Sequence, residues 1–254
     1  MADPGLQNLI GRAAGLLRGA QRRVAFTGAG VSADSGIPTY RGAGGLWTRY
    51  DPDKYANINY FRKDPAYYWR FFRDVRYPAL DSAHPNAAHA ALAALERSGQ
   101  LDAIITQNID GLHQEAGSER VLELHGNTRR FLCQQCAAVV DLATVWNLLQ
   151  SALPPPCPEC GGGLRPDVVL FGEMLPEQIL RQAVEAARSA DVMLVVGSSL
   201  VVQPAAGLPV LTLEHGGRVL IVNVGDTPLD GVAALKIDAG AAEVLPQLAA
   251  LLEK

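Results

Sequence analysis

Five short apolar runs in this chain end abruptly in small or polar residues, and no other feature constrains its fold as much. Val24-Ala25-Phe26 gives way to Gly28-Ala29-Gly30, and residues 101–106 run into Gln107, Asn108, Ile109 and Asp110. Residues 121–124 stop at His125, residues 191–196 at Gly197, Ser198 and Ser199, and residues 218–222 at Asn223 and Val224. Runs that are apolar at nearly every position suit strands buried on both faces, hence a parallel sheet with helices above and below. In such a sheet the carboxyl ends of the strands share one edge, which is where open α/β folds bind their ligands. Ordinary loop polarity would spread polar residues over both ends. The convergence therefore predicts an α/β fold with a dinucleotide site.

The segments between the runs supply the helices. Leu6, Leu9, Ile10, Ala13, Leu16 and Leu17 recur at helical spacing, as do Ala88, Leu92 and Leu95, and later Val244, Leu245, Leu248, Leu251 and Leu252. Helices are expected over 6–19, 85–98 (with Pro85 in the first turn), 176–190, 204–213 and 241–252. Strands are expected over 23–27, 101–106, 121–124, 168–171, 191–196, 218–222 and 235–238. His89, inside a buried stripe, reads as a packed helix residue rather than a ligand.

The turn after the first strand has the pattern Gly28-x-Gly30-x-x-Ala33, so the third glycine of the usual dinucleotide fingerprint is missing. A plain strand-to-helix turn would contain the same glycines. What sets the stretch apart is its tail, Ser35-Gly36-Ile37-Pro38-Thr39-Tyr40-Arg41, which reads as a loop folded over whatever the glycines hold.

Two segments break the alternation. Residues 42–83 carry Trp47, Tyr50, Tyr55, Tyr60, Phe61, Tyr67, Tyr68, Trp69, Phe71, Phe72 and Tyr77 and read as short helices in an inserted lobe, most of whose rings fill a small core of their own. Residues 128–165 carry all four cysteines, Cys133, Cys136, Cys157 and Cys160, as two C-x-x-C pairs. Their polar, glycine- and proline-rich settings fit zinc knuckles, and four thiolates make a closed, structural tetrahedral site. Disulfides need a secreted context, and the sequence shows no basic stretch followed by an apolar core near residue 1. A cytoplasmic protein is expected. A net charge of −4 with no basic run gives no footprint for nucleic acid, and no apolar run is long enough to span a membrane. The expected organisation is one main domain of residues 1–41, 84–127 and 166–254, with a small domain made from 42–83 and 128–165.

Taken in order, GAGVSADSGIPTYRG, TQNIDGLH, ELHGN, the two C-x-x-C pairs, RPDVVLFGE, VVGSSLVVQPAA and LIVNVGDTP resemble the sirtuins, the NAD-dependent protein-lysine deacylases. The match runs over residues 23–228 and looks like a bacterial or archaeal catalytic core. It implies a Rossmann-like parallel sheet with a small domain formed by a helical insertion and a zinc ribbon. NAD and acyl-lysine would enter the cleft from opposite sides. In that chemistry the acyl oxygen attacks the ribose carbon, nicotinamide leaves, and a ribose hydroxyl attacks next with the help of a base. The resemblance puts the base at His125 and the ordering of ribose and nicotinamide on Asn108 and Asp110. It puts NAD contacts on Gly28, Ala29, Gly30, Ala33, Tyr40, Arg41, Gln107, Ile109, Gly197, Ser198, Ser199, Asn223 and Val224. Peptide pairing falls to Val169, Leu170, Phe171 and Gly172.

Two departures bear on the acyl group. Most deacetylases of the family have Asp-Phe-Arg where this chain has Thr39-Tyr40-Arg41, and Thr39 is shared with members that remove acidic acyl groups. Those members carry a Tyr-x-x-Arg pair, which aligns here with Phe72 and Val75, and neither can bind a carboxylate. Tyr67-x-x-Arg70 has the spacing but lies more than a helical turn earlier. The expected activity is deacetylation of protein lysines. The alternatives are desuccinylation or demalonylation, and an NAD-responsive binding protein without turnover.

Overall fold

A computed structural model describes residues 3–41 and 44–253, so Gly42, where the helical insertion is expected to begin, and the extreme ends of the chain lie outside the described residues. The main sheet is parallel throughout and is built from β1 (Arg23–Thr27), β2 (Ala103–Thr106), β3 (Val121–Glu123), β7 (Val192–Val196), β8 (Arg218–Val222) and β9 (Leu235–Ile237). A second, antiparallel sheet contains β4 (Gly126–Cys133), β5 (Val139–Asp141) and β6 (Leu164–Val168). The main sheet has the order β3-β2-β1-β7-β8-β9, so the direction of winding reverses between β1 and β7. That reversal opens a crevice at the carboxyl ends of the two central strands.

Burial explains why these runs are strands. Every residue of β2 and β7 is buried, as are Val24, Ala25, Phe26 and Thr27 of β1, because helices cover both faces. Ile10, Ala13, Ala14 and Leu17 of the helix Pro4–Arg18 join Leu92 and Leu95 of Ala87–Arg97 and Val244, Leu245 and Leu248 of Ala241–Leu252 on one face. The helices Glu177–Ser189 and Leu208–Glu214 cover the other through Ala183, Ala187 and Leu208. A third core joins the aromatic insertion to the cysteine sheet. There Trp69, Phe72 and Phe131 meet Cys133, Cys157 and Leu164, and Tyr77 stacks on Trp146 with ring centroids 3.6 Å apart. Among the described residues, no helix is long and apolar enough to cross a membrane.

The structure departs from the sequence reading in three places. Pro85 lies outside its helix, because the Asn86 side chain caps it by accepting from the Ala88 N–H at 2.8 Å. The strand expected over 168–171 lies at Leu164–Val168 instead. Beyond it the backbone finds scattered partners: Val169 N–H donates to the His125 carbonyl, and Phe171 exchanges bonds with Ala56 and Ile58. Within residues 128–165 the chain also forms a helix, Leu142–Leu149, capped by Asp141.

Gly126, the first residue of β4, has φ +78, and a Cβ there would sit 2.1 Å from the Asp167 carbonyl oxygen. Gly126→Ala is expected to cost about 1–2 kcal/mol from left-handed strain alone, and more with the clash. Chemical denaturation at neutral pH would read this as a lowered midpoint. An unchanged midpoint would mean that an alanine fits at this turn without strain.

Candidate active site

The carboxyl ends of β1, β2, β3 and β7 bring most of the expected site residues together. After β1 the chain enters a 3₁₀ turn, Ala29–Ser35, that ends at Gly36 with φ +83. A Cβ on Gly30 would lie 2.7 Å from the Gly197 Cα, and one on Gly28 2.8 Å from the Gly197 carbonyl oxygen. These glycines therefore let two loops of the crevice lie backbone on backbone, with Gly30 N–H donating to the Gly197 carbonyl at 2.8 Å.

Ser32 is the hub of the buried polar groups, and the sequence reading passed over it. Its hydroxyl donates to Asp110 Oδ2 at 2.7 Å and accepts from Asn108 Nδ2 at 3.0 Å. His89 Nε2 lies 3.3 Å from the same oxygen. A hydroxyl has one proton to give, and the carboxylate takes it, so His89 Nε2 must be the donor here. Its Nδ1 then accepts from the Asn86 N–H at 3.3 Å, which requires a neutral ring. Burial pulls the His89 pKa down, against the pull of Asp110 upward. His113, 5.0 Å from His89, is held by Thr27 Oγ1 at 2.9 Å, and burial pushes its pKa down to about 3. Both rings are packed and uncharged beneath the site. The sequence carried no local signal for the hub, because a small residue at position 32 suits a plain strand-to-helix turn equally well and its partners lie far along the chain.

His125 stands at the end of β3, half-buried. Its Nδ1 is 3.0 Å from the Gln107 carbonyl, which can only accept, so Nδ1 carries the proton and Nε2 keeps its lone pair. Burial lowers the pKa of this imidazole, with the Gln107 carbonyl opposing the shift. Gln107 also donates from Nε2 to Ser198 Oγ at 2.8 Å, which ties the β2 and β7 loops together beside the histidine.

The remaining positions are spread along the crevice. Asn108 and Asp110 are buried and, with Ala29, Tyr40, Ile109 and Arg76, line a cleft of about 490 Å³. Arg76 was not among the expected site residues, since its place in the cleft comes from the fold of the insertion. Ala33, Arg41, Ser199 and Val224 are exposed. Asn223 is largely buried and turns its side chain back onto the Val224 and Gly225 carbonyls at 3.0 and 3.1 Å. Of the peptide-pairing segment, Leu170 is buried, Val169 half-buried, and Phe171 and Gly172 exposed. Glu173 braces it by accepting from Leu170 N–H at 2.9 Å and pairing through both oxygens with Arg165 at 2.8 Å. Burial pushes the Glu173 carboxyl up, but Arg165 and that N–H outweigh it and hold it below the usual carboxylate range. Phe72 is fully buried, Val75 lines the cleft, and Arg70 pairs with Asp64 at 3.6 Å.

The four cysteine sulfurs lie within 4.8 Å of one another, with Cys133–Cys160 at 3.5 Å and Cys136–Cys157 at 3.8 Å. A tetrahedral zinc with Zn–S bonds of about 2.3 Å sets the sulfurs ~3.8 Å apart. Backbone N–H groups of Gln135 and Cys136 point at Cys133 Sγ, and that of Gly162 at Cys160 Sγ, which favours thiolates. The donor set fits structural zinc.

The Sir2 family model matches residues 28–204. The chain is similar to an NAD-dependent protein deacetylase of Sulfurisphaera tokodaii, 51% identical over 224 residues that cover 88% of each chain. It is also similar to an NAD-dependent protein deacylase of Thermococcus kodakarensis, 47% identical over 243 residues, 94% of each. Among solved structures it resembles a Sir2 protein with a deacetylated p53 peptide and 3'-O-acetyl ADP ribose, at TM-score 0.90 and 40% identity over 94% of this chain and 96% of that one. It resembles Sir2Tm bound to a propionylated peptide at TM-score 0.86 and 39% identity, again over 94% and 96%.

Proposed function

The chain belongs to the Sir2 family of NAD-dependent protein deacylases, and from that premise we propose that it removes acetyl groups from protein lysines. The acetyl group passes to ADP-ribose, with release of nicotinamide and O-acetyl-ADP-ribose. The observation that carries the reading is the His125 imidazole, whose Nδ1 proton is committed to the Gln107 carbonyl while its Nε2 has no hydrogen-bond partner among the described residues. A nitrogen so prepared takes a proton from a ribose hydroxyl without first losing its own. Asn108 and Asp110, fixed through Ser32, hold the nicotinamide ribose and carboxamide by hydrogen bonds and do not react. The glycine turn, Tyr40 and Arg41 on one side and Ser198, Ser199, Asn223 and Val224 on the other would hold the rest of NAD. Val169 to Gly172 would pair with the peptide as an added strand, a mode that reads main chain more than sequence. Cys133, Cys136, Cys157 and Cys160 would hold zinc, which supports the small sheet and takes no part in the chemistry.

The test is nicotinamide release from NAD with matched acetyl-lysine and succinyl-lysine peptides. Release that depends on the acetyl peptide is the expected result. Preference for the succinyl peptide would overturn the acetyl assignment. NAD binding with no peptide-dependent release would favour a sensor. The pH profile gives a second check. The neutral imidazole is the active form, and burial lowers its pKa. Activity should therefore persist as pH falls through ~6.5, the ordinary imidazole value, and drop only below it. An acid limb centred above that value would contradict the burial argument.

A further inference from the structure

We propose that Arg76 is a positioning residue for this reaction, one that latches the cofactor loop to the helical insertion through Tyr40 and thereby sets how tightly NAD is held. The inference rests on the deacylase reading only for the identity of the ligand.

Arg76 closes a wide π-helical turn, Phe72–Arg76, a form that is rare and gathers at functional positions. Its Nη1 donates to the Tyr40 hydroxyl at 3.2 Å, and its guanidinium lies 5.6 Å from the centre of the Tyr40 ring and 5.4 Å from that of Phe71. Among the described residues it forms no ion pair with a carboxylate, although arginines nearby in sequence do: Arg70 with Asp64 and Arg73 with Asp74. Its Nε is buried and has no hydrogen-bond partner among the described residues. A cation in that setting is held by ring faces and one phenol, and Phe71 and Tyr40 form the slot between them.

Tyr40 in turn organises its own loop. Its ring leans on Trp47 with centroids 5.3 Å apart, and its carbonyl accepts from the Trp47 N–H at 3.1 Å. The neighbouring rung, Leu46 N–H to the Thr39 carbonyl at 2.8 Å, zips the two arms of the loop together. Among the described residues, the polar side-chain link from this zipped loop to the helices of the insertion is the Arg76–Tyr40 contact, beside the apolar packing of Ile37 on the third core. Tyr40 and Arg76 face the same cleft as Asn108 and Asp110, so the latch bears on the space NAD would fill rather than on the His125 proton transfer.

Arg76→Met is expected to raise the Kd for NAD, measured by calorimetry without peptide, and the KM for NAD about tenfold, the combined loss of a hydrogen bond and a cation–π contact. At saturating NAD, kcat should fall no more than about twofold. Arg76→Lys, which keeps the charge but not the planar fork, should fall between. Tyr40→Phe, which keeps the ring in the cleft and removes only the hydroxyl that Arg76 donates to, should cost little more on the Arg76→Met background, because the partner of that hydroxyl is already gone. Fully additive effects would overturn the latch. So would a fall in kcat and folded fraction with NAD affinity unchanged, which is the mark of a merely structural residue. Loss of succinyl-peptide turnover alone, at unchanged NAD affinity, would also overturn it by making Arg76 an acyl-binding group. The calorimetric Kd remains readable even if the acetyl peptide proves not to be a substrate, so the two readings fail separately.

Discussion

His125→Ala should lower acetyl transfer from peptide to ADP-ribose by roughly 10²- to 10⁴-fold, the usual contribution of a positioned general base. The expectation follows from how little else the ring does. It is half-buried and, among the described residues, makes one hydrogen bond, to the Gln107 carbonyl, so its loss should leave the melting temperature within a few degrees of wild type. NAD affinity should also hold, because Gln107 keeps its bond to Ser198 and Asn108 and Asp110 keep theirs to Ser32. His125→Gln tests the same point from the other side, since an amide can bond to Gln107 but cannot act as a base. Turnover within about threefold of wild type in either variant would remove His125 from the chemistry.

Stripping zinc, or making Cys133→Ser, should cost the activity for a different reason. Structural zinc contributes about 10–16 kcal/mol in small zinc modules, as much as the whole stability of many domains. Cys133 and Cys157 are buried in the third core against Phe131 and Trp69, so losing the metal opens the sheet and loosens the aromatic insertion with it. β4 begins directly after His125 and Val169 bonds to the His125 carbonyl, so the disturbance reaches the site through backbone. A chelator titration should release one zinc per chain, lower the melting temperature, and remove the near-ultraviolet signal of the Tyr77–Trp146 stack. A metal-free protein with full activity and an unchanged transition would show that the sulfurs do not need the ion.

Much of this was legible in the sequence because burial writes itself as composition. β1, β8 and the helix Ala241–Leu252 fall where the apolar pattern puts them, since both faces of the sheet are covered. Cysteine spacing gave the metal cluster for a similarly local reason: each C-x-x-C makes its own knuckle. What escaped were features set by distant partners. β6 ends where a strand was expected to begin, because Val169 and Phe171 bond to His125 and Ala56 rather than to a neighbouring ladder. The role of Ser32 depends on Asn108 and Asp110, more than 70 residues away. Arg76 looked like one charge among many in a basic and acidic helix, and only the π turn and the Tyr40 ring single it out.

The reversal of strand order beside β1 has a consequence for synthesis. Arg23 pairs with Val192, and that partner leaves the ribosome 169 residues later (192 − 23). At ~5–20 residues per second, β1 waits roughly 10–30 s for one of its two neighbours. During that interval β1, β2 and β3 can pair, but the other edge of β1 stays open, apolar and unprotected. Both insertions emerge inside this window. A ribosome-stalled chain ending before residue 192 should therefore be sticky and chaperone-bound, and release should come only when β7 is free to close the centre of the sheet.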